Sequence, residues 1–208
     1  LLTRLKCWVM TGVEPPASAF PRLGDQTGTD RAKVLRSLSS IPIGQPAPAR
    51  LPVLRPLDLG PRSAHGIGDF PGEPVGEPYP CLVSAVDSEG NEIGGIPMPD
   101  VTVPIATHTG FNPRNSDSGG AGQILEYLGS SIPFPFRVSV RKDSRKAVCE
   151  RYLGREVYIN SIREVARTLV SQRYLLEEDI ETCVDIAAVR FDAVVQSEEG
   201  TDLTFEGN

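Results

Sequence analysis

Twelve prolines between residues 15 and 78 restrict this chain more than any other feature. They stand at Pro15, Pro16, Pro21, Pro42, Pro46, Pro48, Pro52, Pro56, Pro61, Pro71, Pro74 and Pro78. Each fixes φ, withholds a backbone donor and biases the preceding residue away from helix. Residues 13–78 therefore cannot hold long regular elements, although two short ones fit. Asp30 can cap a helix through Leu38, because Ala32, Leu35 and Leu38 recur at helical spacing. Leu51 to Leu59 alternates like an edge strand tolerant of proline. With 20 Gly and 19 Pro in 208 residues, the chain falls below the ~25–30% that marks low complexity. Ordered coil packed on a neighbour is the expectation for this part.

On either side the pattern changes. Leu1 to Gly12 places Leu1, Leu5, Trp8 and Val9 on one helical face, with Gly12 where a helix C-terminus favours glycine. No capping residue precedes it, so a fragment or processed product is expected, the helix's packing partner being missing or coming from elsewhere. From Tyr79 to Arg114 the sequence reads as a strand (Cys81 to Val86), a turn at Asp87 to Asn91, a second apolar segment (Val101 to Ala106) and a small polar run from Thr107 to Asn112 ending at Pro113. The turn residues tolerate positive φ or bond their own backbone, so the two apolar segments are expected to pair as a hairpin. Asn115 to Gly122, NSDSGGAG, reads as a plain loop: no Gly-Lys-Ser/Thr follows to make it a phosphate cradle.

After Cys149, Tyr158, Ile162, Val165, Ala166, Leu169 and Val170 recur at three- and four-residue spacing. So do Ile180, Cys183, Val184, Ala187, Ala188 and Phe191. Two amphipathic helices follow, joined by a short turn at Arg173 to Leu176, with Glu177, Glu178 and Asp179 at the favourable end of the second dipole. The organisation is then a helix end (1–12), a proline-rich ordered coil (13–78), a hairpin-like scaffold (79–114), a loop and connector (115–148), a helical hairpin (149–195) and a frayed acidic tail (196–208).

Charge excludes some partners. The net charge is −6, and the imbalance lies after residue 149, where six Arg face thirteen Asp and Glu. The single basic cluster, Arg137, Arg141, Lys142, Arg145 and Lys146 with Asp143 inside it, reads as a solvated connector rather than a nucleic-acid surface. No run reaches the ~20 apolar residues of a membrane span. Cys7, Cys81, Cys149 and Cys183 form no Cys-x-x-Cys pair, and each sits where a small buried hydrophobe would serve. Two disulfides stay open as the alternative, and with them the compartment.

For chemistry, the chain contains no Gly-x-Ser-x-Gly, the strained turn on which a serine nucleophile is displayed. His65 lies between breakers in a loop, where it could serve as a base, and a satisfied or solvent-facing histidine is the simpler reading. His108 follows an apolar segment, where a strand-end catalytic or binding residue would sit, yet a satisfied or solvent-facing histidine is again the simpler reading. Asp87, Glu89, Glu92 and Asp100 surround a turn and are expected in solvent, not as a glycosidase pair. Two histidines 43 positions apart with no acidic neighbour give no metal-ligand spacing, and no cofactor is implied.

Three blocks carry a resemblance: LLTRLKCWVMTGVEPPASAFPRLGD, the segment from LDLGPRSAHGIGDFPG through PYPCLVSAVDSEGNEIGGIPMP to ATHTGFNPR, and ERYLGREVYINSIREVARTLVSQRYLLEEDI. Together they resemble the C-terminal part of a bacterial alpha/beta-hydrolase-domain family. The resemblance implies an α/β fold class: the C-terminal portion of an alpha/beta-hydrolase-like fold, a proline-rich coil with a few strands followed by an antiparallel helical pair. It implies ester or amide hydrolysis by a serine triad in the intact protein. Leu1 to Gly12 resembles the last core helix, which follows all three triad residues, so none is carried onto this sequence. Thr109, Gly110, Phe111 and Asn112 are expected to line a cleft built mainly by residues this chain does not contain. The implied partner is the missing N-terminal hydrolase core or another copy of the chain, with neither nucleic acid nor membrane. Two rivals are a non-enzymatic interaction module and a standalone enzyme using His108 as base.

Overall fold

A computed structural model describes residues 1–39, 41, 53–114, 117, 119–120, 123–138 and 143–202. The first helix, α1 (Leu2–Thr11), ends as its sequence requires: Gly12 takes a left-handed conformation (φ 74°) and its N–H donates to Trp8 O at 2.9 Å. Its apolar face is bare, with Leu2, Leu5, Val9 and Met10 exposed. Asp30 caps α2 (Arg31–Leu38) by accepting the Lys33 N–H at 2.9 Å. Just before it, β1 (Gly28–Asp30) pairs antiparallel with β4 (Leu82–Ser84), setting Thr29 opposite Val83.

Between these lies a small arm in which β2 (Leu57–Asp58) pairs with β3 (Glu73–Pro74). The strand expected over Leu51 to Leu59 shrinks to these two residues. Pro56 offers no donor to extend the ladder, and Gly60 turns the chain at φ 85°. Leu51 and Pro52 lie outside the described residues. Packing of the described coil is uneven: Leu38 and Ile41 are buried and the carbonyls of Glu14 and Ala17 accept from Arg173 and Tyr174, whereas other apolar residues stay bare. Leu54, Leu57 and Tyr79 are exposed, and Phe70 is 99% accessible.

The Asp87 turn forms as its residues predict. Asp87 Oδ1 accepts the N–H groups of Glu89 and Asn91 at 2.8 and 2.9 Å. Gly90 adopts φ 84°, and a Cβ there would collide with the side chains of Ile41, Leu38 and Thr107. Both the turn and the close approach therefore require glycine. The hairpin expected around this turn is absent, because closure stops at one bridge between Val86 and Glu92. Pro97 and Pro99 precede the second segment and Pro104 interrupts it. Pro99 instead opens a one-turn helix, α3 (Pro99–Thr102), which takes in Val101. Only Ala106 of that segment reaches a strand, β5 (Ala106–Thr109), which pairs antiparallel with the distant β6 (Ser130–Pro133).

The remaining helices are α4 (Val148–Arg151), α5 (Arg155–Ser171) and α6 (Ile180–Asp202). Helices α5 and α6 form the antiparallel pair their periodicity predicts, with a short 3-10 turn, Glu177–Asp179, leading into the second. The helix continues to Asp202 where a frayed tail was expected from Gln196; residues 203–208 lie outside the described part. Ile162, Val184, Ala187, Phe191 and Val194 build one apolar cluster with Val103, Ile105, Phe134 and Val148. Tyr158 stacks on Phe191 with ring centroids 5.2 Å apart, and Tyr152 meets Tyr158 edge-on at 5.1 Å. Such ring pairs add ~0.5–1.5 kcal/mol beyond area burial.

Two expectations from charge and cysteine content change. Arg145, read as part of a solvated connector, is 6% exposed. Its guanidinium pairs with Asp143 at 2.8 Å, donates to Thr107 Oγ1, Ile132 O and Pro133 O, and lies over the Phe134 ring. The planar fork satisfies several acceptors at once, which makes its burial tolerable. Arg141 and Lys142 lie outside the described residues. All four cysteines are free thiols, but Cys81 and Cys149 are exposed rather than buried. Cys149 falls on the outer side of α4, and Cys81 lies just before β4.

Among the described residues every strand pair is antiparallel, and the secondary structure is a mixture of helices and short strands with the helical pair at the C-terminal end. No described helix is long and apolar enough to cross a membrane.

Candidate functional site

Strand β5 leads the polar run Thr107 to Asn112 out of the core, and buried polar groups hold it in place. Asn91, fully buried, acts as a surrogate strand on its free edge. Its Nδ2 donates to Ala106 O at 3.0 Å and its Oδ1 accepts the His108 N–H at 2.8 Å. Thr107, also fully buried, donates its hydroxyl to Glu89 O and receives Arg145. Glu89 in turn pairs with Arg151. Of the acids expected in solvent, Glu92 is exposed, but Asp87 and Glu89 are drawn into this turn and Asp100 pairs with Arg190.

Beyond β5 the chain folds back on itself. Phe111 O accepts hydroxyl bonds from Thr109 and Ser130 at 2.7 and 3.0 Å. Asn112 O accepts the Leu125 N–H at 2.8 Å, and Arg114 N–H donates to Gln123 O. Thr109, Gly110 and Phe111 thereby form one wall of a cleft of about 770 Å³. Across it stand Arg31, Val34 and Leu35 of α2 and Val83 of β4. Asn112 is half-buried behind this wall and is not one of its lining residues. The cleft is of the size of small-molecule sites, apolar with Arg31, Glu92 and Glu126 among its polar groups.

Both histidines are placed. His65 ends a 3-10 turn, Ser63–His65, and is exposed. His108 is half-buried and borders the cleft. Its Nδ1 lies 2.9 Å from Ser131 Oγ on the paired strand. Burial depresses its pKa below the ordinary imidazole value; the Asp100 carboxylate opposes this and the Arg190 guanidinium adds to it. The ring is thus held neutral at neutral pH. Nearby phenols are neutral as well. Burial pushes Tyr152 up to about 12, while its hydroxyl donates to Pro104 O at 3.1 Å. Burial likewise raises Tyr158.

One serine borders the cleft, not Ser131 but Ser84. Its hydroxyl donates to Ala85 O at 3.2 Å and accepts the Gly94 N–H at 2.9 Å. Neither serine stands on a strand-to-helix elbow, since Ser84 and Ser131 both belong to antiparallel strands. Among the described residues no group of three His, Cys, Asp or Glu side chains converges as a metal site would require. Sequence reasoning missed Asn91, Ser131 and Arg145. Asn91 follows a glycine and reads locally as a turn residue, and the other two take their partners from strand pairings the local pattern does not reveal.

No curated protein and no solved structure matches the chain. A family match does cover residues 1–185, to the alpha/beta hydrolase domain. The match takes in the capped α2, the Asp87 turn, the cleft wall at Thr109 to Phe111, all of α5 and the start of α6. The chain belongs to the alpha/beta hydrolase domain family.

Proposed function

We propose that this chain is the cleft-shaping, C-terminal segment of a serine hydrolase acting on ester or amide bonds, with the catalytic triad contributed by residues beyond this segment. The observation that carries the reading is the cleft wall at Thr109, Gly110 and Phe111 in a hydrolase-family chain that contains no Gly-x-Ser-x-Gly. Asn112 supports that wall through its carbonyl bond to Leu125. The serine–histidine contact between Ser131 and His108 uses Nδ1 and joins two strands, which differs from the elbow geometry that activates a nucleophile.

The 208-residue chain assayed on short-chain nitrophenyl esters is expected to show no turnover. Turnover abolished by Ser84→Ala or Ser131→Ala would overturn the reading and favour a standalone enzyme with His108 as base. In the intact hydrolase, Phe111→Ala should raise KM several-fold with kcat retained, as expected for lost uniform binding.

A second reading, a non-enzymatic interaction module, is favoured by the bare apolar face of α1 and the exposed Leu54 and Phe70. Under either reading the partner is a hydrolase core or another copy of this chain. A monodisperse monomer by light scattering, with Trp8 emission of a buried indole, would count against the module.

A further inference from the structure

The face of the β5–β6 pair turned toward the helices carries Ala106 and His108 from one strand and their register partners Pro133 and Ser131 from the other. Helix α6 covers this face with Arg190, Ala193 and Val194, and α5 adds Tyr158. Between them lies a cavity of about 210 Å³ that shares His108 with the large cleft and is otherwise lined by different residues. Most of its wall is apolar. Its polar side chains are Asp100 paired with Arg190, His108 Nδ1 bonded to Ser131 Oγ, the Tyr158 phenol, and Ser197, whose hydroxyl donates to Val194 O at 2.8 Å.

We propose that this cavity is a binding site for a small uncharged alcohol, an aryl or alkyl carbinol of about benzyl-alcohol size, whose hydroxyl bonds the His108–Ser131 pair. The inference does not rest on the hydrolase reading.

Three properties select that class. The first is size, since an apolar cavity of ~150 Å³ already accepts a benzene ring, and this one, open to solvent beside the exposed Ser131, Pro133 and Ala193, has room for a ring and a short substituent. The second is charge. The carboxylate of Asp100 is matched by the Arg190 guanidinium, and burial holds His108 neutral. A carboxylate or ammonium ligand would leave water to face groups that are already compensated, at a cost no free counter-charge offsets. The third is hydrogen-bond polarity. Whichever ring nitrogen of His108 carries the proton, the Ser131 hydroxyl keeps unused bonding capacity toward the cavity. A ligand hydroxyl both donates and accepts, so it complements either tautomer, which a purely accepting carbonyl does not.

The test is a titration of the 208-residue chain, ¹⁵N-labelled, with benzyl alcohol, following backbone amide shifts. Saturable shifts at His108, Ser131 and Ala193 are expected, with toluene about tenfold weaker, the loss of roughly one good hydrogen bond, and benzoate without effect. Ala193→Phe places a ring in the cavity from a helix position that is otherwise exposed, and should abolish the shifts. Ser131→Ala should bring benzyl alcohol down to the affinity of toluene. Absence of saturable shifts at these three amides overturns the proposal, as does binding unchanged by Ala193→Phe. Should Ala193→Phe lose native dispersion, equal affinity of benzyl alcohol for the unmodified chain and Ser131→Ala overturns it instead.

Discussion

The residues before Pro99 and those after it are held in place by different forces. The apolar cluster runs from Val103 to Val194 and draws every member from the second part. In the first part, Leu38 and Ile41 are the buried hydrophobic residues among those described. That part is fastened to the second by directional polar bonds. Arg4 donates to Arg173 O and Leu175 O, Arg173 to Glu14 O, and the Tyr174 hydroxyl to Ala17 O at 2.6 Å. Asn91 grips Ala106 and His108, and Glu89 pairs with Arg151. An intramolecular hydrogen bond contributes ~0.5–1.5 kcal/mol net, whereas a fully buried large side chain contributes ~1.5–3 kcal/mol. The second part should therefore behave as the stable unit, and the first as a layer laid over it that opens at lower cost.

The largest effect should come from removing a ring at the centre of the cluster. Phe191 is buried between Tyr158 and Phe136. Phe191→Ala is expected to lower stability by about 3–5 kcal/mol, the range for deleting a buried aromatic side chain. Urea titration followed by far-ultraviolet circular dichroism measures it, and a loss under ~1 kcal/mol, the scale of a single hydrogen bond, would break the proposed division. A smaller effect should come from the fastening itself. Asn91→Ala leaves Ala106 O and the His108 N–H without their partner, a cost of about 1–3 kcal/mol. Because those atoms belong to β5, the loss should appear as faster amide exchange along β5 and the Asp87 turn, with α5 and α6 keeping their protection. Equal loss of protection in α5 would mean that the two parts unfold together.

The same division explains what the sequence shows and what it conceals. Helices α5 and α6 are legible because Tyr158, Ile162, Ala166 and Leu169 repeat within one helix, so burial and periodicity coincide locally. The Asp30 cap and the Asp87 turn are legible because donor and acceptor lie within four residues. Pairing of Ala106 with Pro133, and of Gly28 with Ser84, spans distances over which no local pattern operates. The expected hairpin of Cys81–Val86 with Val101–Ala106 fails for that reason: a strong turn at Asp87 to Asn91 closes one bridge, and the prolines after it send the chain into α3. The polar run at Thr109 to Phe111 could be named as a candidate lining from its exposed-looking sequence; that it faces a cleft made within this chain could not. Nor could the opposite wall, α2, because nothing in Arg31 to Leu38 refers to a partner so far along the chain. Arg145 was hidden by its neighbours, since a basic residue among Lys and Arg reads as solvated until Thr107 and two carbonyls of β6 are seen to surround it.

The smallest expected effect separates the two parts most cleanly. Asp30 is exposed, so its carboxylate contributes through the single bond to the Lys33 N–H and through its position at the start of α2. Asp30→Ala should cost about 1 kcal/mol, the usual value for losing such a cap. Where that loss is felt depends on how α2 is attached. Of its residues only Leu38 is buried, and the helix spans eight residues, too few to persist without support in water. The loss should therefore fray α2 and expose the side of the cleft formed by Arg31, Val34 and Leu35, leaving the α5–α6 pair untouched. Hydrogen exchange reports both regions in one experiment. Accelerated exchange in α2 with unchanged protection at Ile162 and Phe191 is the expected outcome. A parallel loss in α6 would show that the cap supports the whole fold, and the first part would then be an integral layer of the core and not a covering.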